Sequence, residues 1–462
     1  MNGCTTWSYA PYRPFLWEVG DIYICRIVPS VNSIHIEWLE GEKSFEIFYR
    51  VCGEEAFTSC GKTDKNEFDI TGLKEGNDYE FFVSSGEKKS RVRLAKCGDS
   101  VGAVVNYLHP KDDCYAFSGK ALCSPSLVRH PEGFLLASMD VYEGEYPQNL
   151  TLIFRSDDNG KNWHYVSELI PCFWGKMFIH KGELYMLSVS TEYGDLLIGK
   201  SVDGGKSVDG GKTFSAPVTL LRGSNGKKGV AGIHKNPQNI IYHNGRIYET
   251  LEWGSWHNKG YYHGAMVMSC NENDDLLDPR NWHFTPPVIH DQNWKGVAPD
   301  GKYGNIEGTL AVAPDGNLYS YMRYQTKLEK KILAFRIPDD PDAPIEYSHP
   351  VAFDGNLSKF MIKYDSISQK YFSIISRRID DPATTRNLLS LIVSSDLEHW
   401  ELVLDLMDRR HEDPNFVGFQ YVDFEIEGDD IIYLCRTAIN GAKNFHDANY
   451  STFHRIENFR TL

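Results

Sequence analysis

From about Asp99 to the end of the chain, apolar and polar residues alternate in short runs, and almost no stretch has the spacing of an amphipathic helix. The runs are cut by glycine-containing turns: His130-Pro131-Glu132-Gly133, His180-Lys181-Gly182-Glu183, His243-Asn244-Gly245-Arg246, Pro314-Asp315-Gly316-Asn317 and Glu427-Gly428-Asp429-Asp430. Gly, Asn and Asp supply the left-handed or self-bonded positions that a tight turn needs, so each cluster predicts a hairpin. A further unit around Tyr364-Asp365-Ser366 and Tyr371 brings the count to six. Radial repetition of such units protects sheet edges, and the pattern predicts a six-bladed β-propeller over residues 99–462. Before it, residues 33–38, 45–50 and 70–83 alternate in the same way between turns. They predict a small β-sandwich over residues 1–98. The expected fold class is all-β.

Composition narrows the function. The 462 residues suffice for a large core, and 26 Tyr, 24 Phe and 10 Trp suit β-structure and sugar-facing surfaces. A formal charge of −15 argues against nucleic acid and anionic membrane as bulk partners, so an anionic ligand would need a local arginine cluster. Residues 1–7 show no basic segment followed by an apolar one, and no run approaches a membrane span, which gives the expectation of a cytoplasmic protein. The ten cysteines lack paired metal spacing and are expected as reduced, mostly buried thiols. No metal-ligand or calcium-loop pattern occurs, so neither metal nor cofactor is implied.

One turn is more specific than the rest. Ser156-Asp157-Asp158-Asn159-Gly160-Lys161-Asn162-Trp163 follows a β-prone run and precedes another. Its Ser and Asp side chains can bond the turn's own backbone while the Trp covers it. The spacing recurs at Ser207-Val208-Asp209-Gly210-Gly211-Lys212-Thr213-Phe214 and, in altered form, at Ser394-Ser395-Asp396-Leu397-Glu398-His399-Trp400. It resembles the Asp box of sialidases and related propellers, a structural turn on the outer rim of a blade. Residues 201–206 are repeated by the next six, which reads as a duplicated rim turn. In the leading segment, Trp38 and the corner Leu73-Lys74-Glu75-Gly76-Asn77-Asp78-Tyr79 resemble a fibronectin type III sandwich, whose corner tyrosine bonds upstream backbone. Its expected role is packing or spacing.

Candidate chemistry gathers in the propeller segment. The stretch from Asn305 to Arg323 reads as a strand opening with a carboxylate, an Asp-Gly hairpin and a return strand ending in an arginine. Antiparallel pairing alone brings Glu307 and Arg323 to the same end. This resembles the sialidase blade in which a glutamate assists the nucleophile and an arginine grips a carboxylate. By the same resemblance, Arg386 is a second carboxylate-binding arginine and Tyr421 the nucleophile. A phenol approaches an anionic sugar with less repulsion than a carboxylate would, and Glu307 would take its proton.

Two features depart from sialidases. Their leading Arg-Ile-Pro is replaced by Cys123-Ser124-Pro125, and their acid/base aspartate falls at Tyr146-Pro147-Gln148-Asn149. Phe335-Arg336-Ile337-Pro338 copies the missing motif in a late blade and reads as coincidence. Over most of residues 110–462 the chain is more similar to a sialidase-like group of bacterial proteins. The stretches that carry this begin at His234-Lys235-Asn236-Pro237, Gly245-Arg246-Ile247-Tyr248, Ser358-Lys359-Phe360-Met361 and Phe445-His446-Asp447-Ala448. Asp140, His234 and Glu252 are the substitutes for the missing acid, and Glu252 and His446 are expected to line the funnel with substrate. Histidine suits proton transfer near neutral pH.

Three functions remain open at this point: an exo-acting glycoside hydrolase removing a terminal acidic sugar, a lyase cleaving beside a uronic acid, and a glycan-binding propeller without turnover. In the lyase, His234 or Tyr421 would abstract the C5 proton. The partner in all three is a carbohydrate, and oligomeric state is not legible.

Overall fold

The computed structural model describes residues 21–41, 44–201, 210–224, 229–256, 263–301, 304–379 and 385–462. The turn start Ser207–Asp209 and most of the direct repeat at 201–212 lie outside them. Strands dominate, and two three-residue 3-10 turns are the only helical elements among the described residues.

The leading segment forms a three-stranded sheet from Tyr23–Pro29, Ser33–Leu39 and Glu67–Thr71 and a five-stranded one around Phe45–Val51 and Asp78–Ser85. Alternation fixes the facing: Ile34, Ile36 and Trp38 turn inward and are buried against Ile47, Phe81 and Val83. At the corner the Tyr79 hydroxyl accepts from the Lys74 backbone N–H at 2.8 Å, the bond expected of that tyrosine.

Six antiparallel sheets follow in chain order, four with four consecutive strands. The third has five strands, because its inner edge is split into Gly232–His234 and Ile241–His243. The sixth takes its fourth strand from Ala103–Tyr107, which pairs with Tyr450–Ile456 and so joins the two ends of the ring. Each glycine turn expected from sequence connects the inner strand of a sheet to the second, as between Asn305–Val312 and Leu318–Tyr324.

The described rim turns connect third to fourth strands and bond themselves as their residues suggest. Ser156 Oγ accepts from Gly160 N at 2.8 Å, Asp158 Oδ1 from Asn162 N at 2.9 Å, and Trp163 Nε1 donates to Gly160 O at 3.0 Å. Ser394, Asp396 and Trp400 repeat the arrangement, Trp400 Nε1 donating to Leu397 O at 3.3 Å.

The inner strands share one irregularity that places the site. Bulges interrupt four of them, between Cys123 and Ser126, Phe173 and Lys176, Ile306 and Thr309, and Gln420 and Asp423. Each bulge holds one non-glycine residue in the left-handed region: Ser124 (φ 50°), Trp174 (φ 51°), Glu307 (φ 54°) and Tyr421 (φ 56°). A bulge re-aims its side chain, and such a backbone costs about 1–3 kcal/mol, so surrounding structure holds these four side chains off the regular strand alternation.

Candidate active site

Glu307 and Tyr421 leave their bulges to meet. The Tyr421 hydroxyl donates to Glu307 Oε1 at 2.6 Å, and Arg323 Nη1 bonds Glu307 Oε2 at 2.5 Å and the Tyr421 oxygen at 3.1 Å. Burial, the largest single cause, works to raise the Glu307 pKa, but Arg323, His234 and the Tyr421 hydrogen bond together outweigh it, and the carboxyl stays below its usual value. Burial and then Glu307 push Tyr421 up, while Arg323, Arg386 and Arg436 oppose them. A phenol on an ionised carboxylate is an activated nucleophile of the kind that forms covalent intermediates.

Two more guanidiniums flank the Tyr421 ring. Arg386 stands 5.7 Å from its centroid, held by Gln420 Oε1 and by Leu357 O at 3.0 Å. Arg436, at 5.0 Å, donates to His446 O and also covers Tyr142. Sequence reasoning missed Arg436: it sits in the second strand of its sheet, outside every motif. Neither arginine has a carboxylate partner among the described residues, and both are buried with Nε unsatisfied. Burial and the Arg323 charge bring Arg386 down to about 10, the mark of a cation short of counter-charge.

The other predicted residues divide. His234 Nδ1 lies 2.7 Å from Glu252 Oε2, which leaves Nε2 as its other ring nitrogen. Glu252 is not placed to bind substrate, contrary to expectation. It is buried, and its second oxygen accepts from Gly308 N at 3.3 Å, so it ties His234 to the bulge of Glu307. Asp140 is likewise withdrawn from the funnel. It is sealed from solvent, accepting from Thr151 Oγ1 at 2.5 Å and from Trp174 N at 2.7 Å, and burial raises it to about 7. Its geometry is that of a brace for the Trp174 bulge.

His446 is partly exposed, with Nδ1 2.9 Å from Asp447 Oδ1; burial, then Arg436, lower it to about 4 and keep it neutral. Gln148 stands buried and donates Nε2 to Glu192 Oε2 at 2.9 Å. Glu192 is a carboxylate that sequence reasoning missed, since it comes from the loop of the next sheet. On the same inner strand as Tyr421, Asp423 pairs with Lys176 at 2.5 Å, and Val422 O accepts from Lys359 at 2.9 Å.

No protein-family model matches the chain. No curated protein matches it either. Solved structures do. A protein of unknown function from Dyadobacter fermentans matches with a TM-score of 0.51 at 12% identity, over 77% of this chain and 98% of its own. The α-L-arabinanase of Penicillium chrysogenum, complexed with arabinobiose, gives 0.49 at 15% identity over 79% and 99%. A leech intramolecular trans-sialidase gives 0.48 at 10% identity over 98% and 93%. The Dyadobacter likeness is one of fold alone, and function has to come from the site.

Proposed function

We propose that the chain is an exo-acting glycoside hydrolase that removes a terminal acidic sugar from a glycan. In this reading the six sheets over residues 99–462 are the blades of a sialidase-like propeller, and residues 1–98 are a fibronectin type III-like sandwich. The observation that carries it is the 2.6 Å hydrogen bond from Tyr421 to Glu307 within a cluster of three arginines. Among the described residues neither Arg386 nor Arg436 forms an ion pair with a carboxylate, and in this reading a substrate carboxylate supplies one. With a formal charge of −15 on the chain, only such a local cluster would draw in an anion.

Tyr421 attacks the anomeric carbon while Glu307 takes the phenol proton, and His234 Nε2 protonates the departing oxygen. Water, deprotonated by His234, then breaks the tyrosyl–sugar bond, and the proton on Glu307 returns to Tyr421. Each step moves two protons, one through Glu307 and one through His234, and exchanges one bond at the anomeric carbon. The test is release of the aryl group from a panel of aryl glycosides that includes sialic and uronic acids. The wild type is expected to cleave one of them, with Glu307→Gln and Tyr421→Phe each slower by roughly 10²- to 10⁴-fold. Full turnover by Tyr421→Phe would remove the assignment.

A second reading rests on His446, a neutral imidazole whose Nδ1 donates to Asp447 Oδ1 at 2.9 Å, which puts the lone pair on Nε2. As the base of a lyase, it would take the C5 proton of a uronic acid whose carboxylate the arginines neutralise. An unsaturated product absorbing in the near ultraviolet distinguishes that outcome.

A further inference from the structure

Arginines surround one part of the site, and aromatic rings build another. Trp174, raised on its bulge, packs on His234 with centroids 4.4 Å apart. His234 lies 4.8 Å from His263, and His263 4.7 Å from Trp256. Tyr193 backs them from a buried position, its hydroxyl accepting from Trp256 N at 3.0 Å. Trp256 follows the strand Arg246–Gly254 at the end where Glu252 meets His234, and it is 39% exposed. Its indole completes a run of ring contacts through His263 and His234 to Trp174, a face that is part apolar and part polar and suits an amphipathic ligand.

A second, polar observation points the same way. The Gln148 side chain is buried and spends Nε2 on Glu192, while its carbonyl oxygen has no partner. An unsatisfied buried acceptor is destabilising, and a hydroxyl donor from a ligand would remove that penalty. Glu192 acts electrostatically on both Tyr193 and Tyr142, so it lies between the aromatic wall and the Arg436 side. Apolar ring faces with a planar amide and a carboxylate match a sugar ring, which presents C–H groups on its face and hydroxyls on its edge. The Glu192 charge favours a neutral ring here over a second acidic one.

We propose that Trp256, Trp174, Gln148 and Glu192 form the subsite for the leaving-group sugar, a neutral monosaccharide unit seated on the Trp256 indole with its hydroxyls on Glu192 and Gln148. The orientation rests on the hydrolase reading, in which His234 protonates the oxygen joining the two sugars. The protein would then act on oligosaccharides, and a simple aryl group would bypass the subsite.

Binding separates this proposal from the catalytic reading. The full-length wild type is titrated with an array of neutral oligosaccharides that includes lactose and arabinobiose, and so are Trp256→Ala, Trp256→Phe and Tyr421→Phe. The expected result is retention of at least one neutral glycan by the wild type and by Tyr421→Phe. Trp256→Ala should weaken it at least tenfold, and Trp256→Phe should restore most of it. If Tyr421→Phe still hydrolyses its substrate but this pattern holds, the subsite stands and the nucleophile falls. No neutral glycan bound by the wild type, or equal binding by Trp256→Ala, overturns the subsite.

Discussion

Arg386 and Arg436 are costly residues for a folded chain, because each buries a guanidinium with no carboxylate ion pair among the described residues. Replacing an uncompensated buried charge with an apolar side chain of similar volume is often neutral or stabilising. Arg436→Met should therefore hold or raise the midpoint of thermal unfolding, by about 1–2 °C. The same variant should lose about 10²-fold in kcat/KM on an acidic glycoside, the size expected when a desolvated charge contact is removed. Calorimetry and steady-state kinetics on one preparation check both halves; a lowered midpoint with unchanged kinetics would make Arg436 a structural residue.

Asp140 gives the opposite kind of test. Its carboxyl, raised to about 7 in the fold, stays protonated over a range in which the unfolded chain has ionised. The fold then binds more protons than the unfolded chain, so this group's contribution falls as pH rises from about 4 to about 7. Asp140→Asn should abolish that slope, and urea unfolding at pH 5 and pH 8 should differ between the two proteins by up to about 3 kcal/mol. Of the site itself, Glu307, Arg323, Arg386 and Tyr421 were legible because motifs and hairpin pairing carry them. Arg436, Glu192 and Trp174 were not, since each reaches the site through the ring closing in space.

At the scale of elements, turns were readable and bulges were not. The hairpin turns announce themselves through Gly, Asn and Asp, whose backbone preferences are local. The four bulges put Ser, Trp, Glu and Tyr at φ near 50–56°, and no local preference predicts that. Surrounding sheets impose it, which is why Glu307 and Tyr421 could be named while their 2.6 Å contact could not. The third sheet shows the same limit: its inner strand breaks after His234, and the segment to Ile241 carries Lys235 onto Glu249 at 2.9 Å. The rim turn is strong enough to test alone. Ser156 Oγ serves both Gly160 N and Asp158, so Ser156→Ala should cost about 1–3 kcal/mol in denaturant unfolding without affecting turnover. A change in turnover as large as the change in stability would show that the rim and the funnel are coupled.

Across the whole molecule, contacts cross the boundary predicted at Asp99. Arg26 in the leading sheet donates Nε to Val105 O at 2.8 Å and Nη2 to Val104 O at 3.0 Å, gripping the strand that joins the ends of the ring. Arg93 bonds Asp112 at 2.6 Å and Ile24 O at 2.5 Å, with both charged groups sealed from water. One apolar cluster runs from Trp38 and Phe81 through Tyr107 to Phe424 and Tyr450. A boundary at Asp99 is therefore a boundary of pattern, and packing crosses it. Arg93→Ala leaves Asp112 buried and alone, a change that costs about 3–5 kcal/mol. Because the lost contact ties the leading segment to Asp112 beyond the predicted boundary, the variant should unfold in a single transition at lower denaturant, and residues 99–462 expressed alone should unfold earlier still. Two resolved transitions in the wild type, the later one unmoved in Arg93→Ala, would show instead that the ring stands without its leading sheets.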